Sequence, residues 1–289
     1  MGKKGKKGQA GKPKKLTPKD VGKRLNALAK NFGGELKGAD LFAPLPPTED
    51  CVICFVPLSR LKSDTLYHPC CGNIICKACS IENEESIKKQ NEEKSAGKKI
   101  ASACPFCREP RPHSDETFRR LEARALKNDH IALYSLGFYF MEGEDGVVKD
   151  DLKALDYYIR AVELASAAAC ISIGNIYDEG DGVAVDKERA ALFDRVGALR
   201  GDVCARHNIG ALEYNNFGNY EIAIRHWKIS AEAGYQNSLN ALKEIYNASD
   251  KGPGEGIYKQ AGRNGHSLSL WPRCSNEGQD RGEREALRY

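Results

Sequence analysis

Four close cysteine pairs fall between positions 51 and 107, and they limit what this chain can fold into more than any other feature. They are Cys51-x-x-Cys54, Cys70-Cys71, Cys76-x-x-Cys79 and Cys104-x-x-Cys107. A two-residue gap lets both thiolates of a pair reach one ion from a tight turn, and zinc favours four such ligands in a tetrahedron. Eight ligands make two closed sites, so the expectation is two Zn2+ per chain. A closed site leaves no position for a reactive water. The metal is therefore expected to hold the fold together, and no catalytic residue is assigned.

A disulfide-stapled secreted domain is the competing explanation of such a pattern. It calls for a signal peptide, and the lysine-rich N-terminal stretch does not read as one. The three remaining cysteines, Cys170, Cys204 and Cys274, are expected as ordinary thiols of a reducing compartment, cytoplasmic or nuclear. No run approaches the roughly 20 apolar residues of a membrane-spanning helix, so no membrane partner is expected. The net charge of +4 is the property of one tail: residues 1–15 carry seven lysines and no acid.

That tail offers almost no apolar side chain to offset chain entropy, and it is read as disordered. Its readings are a nuclear address, a contact with nucleic-acid phosphates, or a solvated face. Residues 16–50 read as a short helix and a proline-rich linker. Thr17-Pro18 resembles an N-cap followed by proline at the first helical position, and Val21, Leu25, Leu28 and Phe32 share one face. The linker, residues 38–50, reads as extended. Between Cys79 and Cys104 an exposed helix is expected, followed by a loop from Ser95 through Lys99.

Past Arg111-Pro112 a repeat appears. Ala132-x-x-x-Leu136-Gly137 recurs as Ala169-x-x-x-Ile173-Gly174 and as Ala205-x-x-x-Ile209-Gly210. Glycine-rich loops follow the first two copies at Gly143 and Gly180. Asp150-x-x-Lys153-Ala154 then matches Asp186-x-x-Arg189-Ala190. A period of this length signals stacked helix pairs, with the aspartates as N-caps of the second helices. The third copy goes through Asn215, Asn216 and Gly218 in place of the loop, and its second helix runs through Trp227 and Ala231. Leu239, Leu242, Ile245 and Tyr246 suggest a closing helix. Residues 248–289 read as a disordered tail in which Trp271 and Cys274 stand alone.

The order of the cysteine pairs resembles a RING-type zinc finger, and the repeats resemble Sel1-like repeats, relatives of tetratricopeptide repeats. The combination is similar to RING-finger/Sel1-repeat proteins of microbial eukaryotes. The implied fold is a small zinc-stabilised α+β RING finger (51–110) followed by an all-α solenoid (124–247) with disordered termini. The solenoid divides into copies at 129–165, 166–202 and 203–235 and a closing helix at 236–247. In the RING family the first and third pairs share one zinc, which implies Cys51, Cys54, Cys76 and Cys79. The second and fourth pairs share the other, which implies Cys104, Cys107, Cys71 and an eighth ligand. Cys70, His68 and Asn73 are the alternatives for that ligand, with Cys70 preferred as the better zinc donor.

The resemblance implies a ubiquitin ligase, or ligase adaptor, that binds a ubiquitin-charged conjugating enzyme and accelerates transfer by positioning. Ile53 and Pro105 would touch the conjugating enzyme, and Arg108 would bridge it to ubiquitin. The repeats would recruit a protein substrate. Active members often carry a large apolar residue four positions after the sixth ligand, where this chain has Asn83. That favours the alternative, a non-catalytic zinc-and-solenoid scaffold, associated with nucleic acid through the lysine tail. No Ser/His/Asp set, P-loop or dinucleotide fingerprint points to a small-molecule enzyme. Cysteines closed around zinc argue against a redox sensor.

Overall fold

The structure, a computed structural model, describes residues 17–93, 100–112, 114–143 and 146–248. The basic tail at 1–15, the loop at Ser95–Lys99, and Trp271 and Cys274 in the C-terminal segment lie outside the described residues.

The chain opens with helix α1 (Pro18–Glu35), started as the sequence predicts: the Thr17 side chain accepts from the Asp20 N–H, with Pro18 in the first turn. Its apolar face is fully used, since Val21, Leu25, Leu28 and Phe32 are all buried. The finger follows, with a hairpin of β1 (Thr65–His68) and β2 (Asn73–Cys76) paired antiparallel from Thr65↔Cys76 to His68↔Asn73. Helix α2 (Lys77–Glu93) leaves directly from the hairpin. Its own core is small: Cys51, Leu58, Ile75 and Cys79 are its buried members. That is too little apolar surface to order a domain unaided.

The helical arm runs through α3 (Ser114–Ala125), α4 (His130–Glu142), α5 (Asp151–Glu163), α6 (Ala167–Glu179), α7 (Lys187–Leu199), α8 (Val203–Leu212), α9 (Tyr220–Glu232) and α10 (Gln236–Ala248). The pairs are α4/α5, α6/α7 and α8/α9, with α10 closing the stack. The predicted N-caps are in place: Asp150 and Asp186 accept from the Lys153 and Arg189 N–H groups at 3.1 and 3.0 Å. The glycine shared by the repeats has a packing cause. A Cβ at Gly137 would stand 2.7 Å from the Tyr158 ring, and one at Gly210 would stand 2.6 Å from Trp227. Each pair can cross at this distance only without a side chain there.

Between repeats the chain turns through a left-handed residue just before, or two before, the next helix: Asn128, Ala165, Gly201 and Gly234 have φ of 57°, 64°, 91° and 94°. Three of them precede the N-caps Asp129, Ser166 and Asp202. The third copy replaces the glycine-rich loop with a π-helical turn, Glu213–Phe217, that ends at Gly218 in the left-handed region.

Two segments behave differently from the sequence expectation. Helix α3 was not singled out by periodicity, yet it buries Leu121 and Ala125 and packs on α4 as a lid on the first repeat. The proline-rich linker departs from the extended expectation at its start, where the Ala43 N–H donates to the Asp40 carbonyl at 3.1 Å and closes a turn, and it is pinned along the arm by side chains from α8 and α9. Cys170 is a buried free thiol, as expected.

Candidate metal centre

Two knuckles and the hairpin assemble the cysteines. Around Cys51–Cys54 the Cys51 N–H donates to the Val56 carbonyl, the Phe55 N–H donates to Cys51, and Asp50 bridges to Pro57. Around Cys104–Cys107 the same pattern recurs: Cys104 to Glu109, Arg108 to Cys104, and Ala103 bridged to Pro110. In both knuckles the residue after the second cysteine takes a left-handed conformation, Phe55 at φ 58° and Arg108 at φ 65°. That turn folds the backbone back so that both thiols of the pair face one point.

The eight thiols separate into two groups. Cys51, Cys54, Cys76 and Cys79 form one, and Cys70, Cys71, Cys104 and Cys107 form the other, with the sulfurs of each group within 4.8 Å of one another. Individual Sγ–Sγ separations are 3.9 Å for Cys51–Cys79, 3.7 Å for Cys54–Cys76, 3.9 Å for Cys71–Cys104 and 3.4 Å for Cys107–Cys70. Sulfurs about 2.3 Å from a central ion at tetrahedral angles stand about 3.8 Å apart, so both groups fit the edge lengths of a tetrathiolate site. Both are able to hold a metal ion.

Of the alternatives at the second pair, the structure places Cys70 in the group. Asn73 instead donates from Nδ2 to the Cys71 sulfur at 3.4 Å. His68 lies buried outside the group, and its Nε2 has no hydrogen-bond partner. Backbone donors surround the first group as well: the Cys76 N–H points to the Cys51 sulfur at 3.4 Å and the Cys79 N–H to the Cys76 sulfur at 3.5 Å.

The electrostatics follow from this crowding. Burial, then hydrogen bonding to neighbouring thiols, pushes the Cys70 and Cys79 thiols well above the ordinary value. Burial raises Cys51 too, but backbone donors at Cys54, Cys76 and Ile53 outweigh it and bring that thiol down to about 6. Four thiolates in one pocket repel each other, and a dication removes that obstacle.

Ile53, Pro105 and Arg108 line one groove of about 580 Å³ between the two knuckles and α2, together with Asn83 and Ile87. Ile53 is 38% exposed. Arg108 is tethered to Asn83, whose Oδ1 accepts from its Nη1 at 3.4 Å while the Asn83 Nδ2 donates to the Ala103 carbonyl at 3.2 Å.

The finger is bolted to the arm at the second group. Arg124 of α3 donates to the Cys71 carbonyl and pairs with Asp129 at 3.4 Å. Asp129 caps α4 and also accepts from the Tyr67 hydroxyl at 2.7 Å. Lys62 reaches the Tyr134 hydroxyl at 2.5 Å. The three contacts that cross from finger to arm were not found by sequence reasoning, because those pairs lie 53 to 72 positions apart.

The Sel1 repeat family model matches residues 130–166, 167–193 and 215–235. Three stretches of the helical arm thus match the Sel1 repeat. Over 75 residues the chain is 33% identical to the ERAD-associated E3 ubiquitin-protein ligase component HRD3A of Arabidopsis thaliana; this stretch is 26% of the chain and 11% of that protein. The chain therefore matches about a tenth of the relative's length. Among solved structures it is similar to a Sel1 repeat protein from Oxalobacter formigenes, at 27% identity over 60% of this chain and 64% of that one, with a TM-score of 0.43. It is also similar to c5321, a protective antigen of uropathogenic Escherichia coli with an SLR fold, at 24% identity over 57% and 36% of the two chains and a TM-score of 0.42. The Sel1 arm points to a scaffold for protein–protein interaction. No helix among the described residues is long and apolar enough to cross a membrane.

Proposed function

We propose that residues 51–110 form a RING-type finger holding two Zn2+ through Cys51, Cys54, Cys76 and Cys79 and through Cys70, Cys71, Cys104 and Cys107. The finger docks a ubiquitin-charged conjugating enzyme, and the Sel1 arm brings a protein substrate to it. The observation that carries this reading is the interleaving of the pairs, first with third and second with fourth, into two groups of tetrathiolate dimensions. The groove that joins Ile53, Pro105 and Arg108 supports it, since two loops and a helix meet there as a shallow docking face. The relative's printed description as a ubiquitin-ligase component is in keeping with it. The metal's part is to rigidify loops that lack a core. Transfer is accelerated by holding the thioester in a reactive pose, to which Arg108 adds a fork of donors for carbonyl oxygens.

The test is autoubiquitination with a panel of conjugating enzymes, run beside Arg108→Ala. We expect activity that falls about tenfold or more in the variant, a loss of about 1.4 kcal/mol of transition-state stabilisation, with the metal count unchanged. Asn83 favours a second reading, a scaffold without transfer activity. It places an amide, engaged with Arg108 and the Ala103 carbonyl, in the groove beside Ile53 and Pro105. Silence with every enzyme in the panel, from protein with both metals bound, selects the scaffold.

A further inference from the structure

The linker ahead of the finger is held the way a bound peptide is held. Leu41–Pro46 joins no sheet and no helix. The Arg206 guanidinium donates to the Leu41 carbonyl, and Arg60 donates to the Pro46 carbonyl and, at 3.2 Å, to that of Gly201. The Phe42 ring lies on His226, centroids 4.6 Å apart, with the Arg225 guanidinium 3.7 Å over it. Leu45 packs into the apolar cluster of Val203 and Tyr235. Asp40 turns the segment by accepting from the Phe42 N–H at 2.9 Å, and its charge bears on Arg206. Main-chain carbonyls taken by fixed donors, with separate seats for an aromatic and an aliphatic side chain, are the grammar of peptide recognition.

The fit leaves polar capacity over. Arg206 and His226 are each 2% exposed, and Arg206 Nε and His226 Nδ1 have no hydrogen-bond partner. Buried donors and acceptors are normally satisfied, so the linker fills this cleft without exhausting it. Arg195, Arg206 and Arg225 all bear on His226. Arg195 pairs with Glu213 at 4.0 Å, and among the described residues Asp40 is the acid that the linker brings to Arg206.

We propose that the third repeat carries a peptide-reading cleft, built by Arg206, Arg225 and His226 and plugged by the chain's own Leu41–Pro46. Its partner in trans is a segment that turns at an acidic residue, with an aromatic two positions on and a proline two beyond, the order of Asp40, Phe42 and Pro44. This deepens the reading that the repeats take a protein partner and is independent of ligation. A tethered plug acts at an effective concentration of about millimolar, so a free peptide competes poorly until the plug is released.

The probe is a fluorescein-labelled peptide of residues 38–48, titrated against the full chain and against two released chains. One has residues 40–46 replaced by Gly and Ser at equal length; the other is Phe42→Ala, which keeps the test open if the first fails to fold. We expect binding to the released chains at least tenfold tighter than to the wild type. It should be lost in a released chain that also carries Arg225→Ala, and with a peptide carrying Phe42→Ser. A folded released chain that ignores the peptide overturns the proposal, as does equal affinity for wild type and released chains. Because the readout is binding, an inactive finger does not affect the outcome.

Discussion

Ala165 shows how much a single backbone angle contributes. It sits at φ 64° in the turn between the first and second repeats, where the equivalent turns use Asn128, Gly201 and Gly234. A side chain in the left-handed region costs about 1–2 kcal/mol, partly offset by the greater freedom of glycine in the unfolded chain. Ala165→Gly should therefore raise the unfolding free energy by about 0.5–1 kcal/mol in urea titrations. A drop would mean that the methyl group contributes packing not apparent in the turn. The buried histidines give a pH signature. Burial brings His207 down to about 4, and burial together with Arg206, Arg225 and Arg195 brings His226 to about 4. Each is neutral when folded and takes a proton near pH 6.5 when unfolded, so the unfolded chain binds more protons between those values. Stability is complete above about pH 6.5 and is lost as pH falls towards 4, by a few kcal/mol for the pair. Urea midpoints between pH 7 and 5 should decline; in the His207→Gln and His226→Gln variants the slope should flatten. An unchanged slope in the variants would assign the acid sensitivity elsewhere.

Helix α1 is the element whose role the sequence half disclosed. Its face of Val21, Leu25, Leu28 and Phe32 was legible as a period, and so was its start at Thr17-Pro18. Its seat was not, because a period says that a face is buried but not against what. The structure seats it across α5 and α7, with Phe32 edge-on to Phe193 at 5.3 Å. Arg24 pairs with Asp156 and Glu163, and Arg200 pairs with Glu35. These part-exposed pairs fix orientation more than they stabilise; the apolar face supplies the energy. Leu25, 1% exposed, should cost about 2–5 kcal/mol as Leu25→Ala. Loss of helicity confined to α1, with the repeats unfolding at the wild-type temperature, would show that the helix is an ornament. Helix α3 was missed for a related reason. Its buried positions are Thr117, Leu121 and Ala125, and one large apolar side chain among them is too little to mark a face in a charged segment. The linker has no period at all, and its partners Arg206 and His226 lie more than 160 positions away.

At the scale of the molecule, the finger and the Sel1 arm share their boundary. The turn that carries Cys70 and Cys71 is gripped by Arg124, and Arg124 reaches the cap of the first repeat. The cysteine spacing disclosed two groups of ligands able to hold a metal ion. It left the choice among Cys70, His68 and Asn73 open, because three donors within six positions differ only in how the turn aims them. The Tyr67–Asp129 and Arg124–Cys71 contacts predict that stripping the metal loosens more than the finger. After chelation, hydrogen exchange should rise at α3 and the start of α4 while α8 and α9 keep their protection. Exchange confined to the finger would make the two parts independent. The most direct test of the whole account is native mass spectrometry of the full chain. It should count two zinc ions, with Cys70→Ser falling to one and both His68→Ala and Asn73→Ala keeping two. One ion or none in the wild type, or two retained by Cys70→Ser, would contradict it.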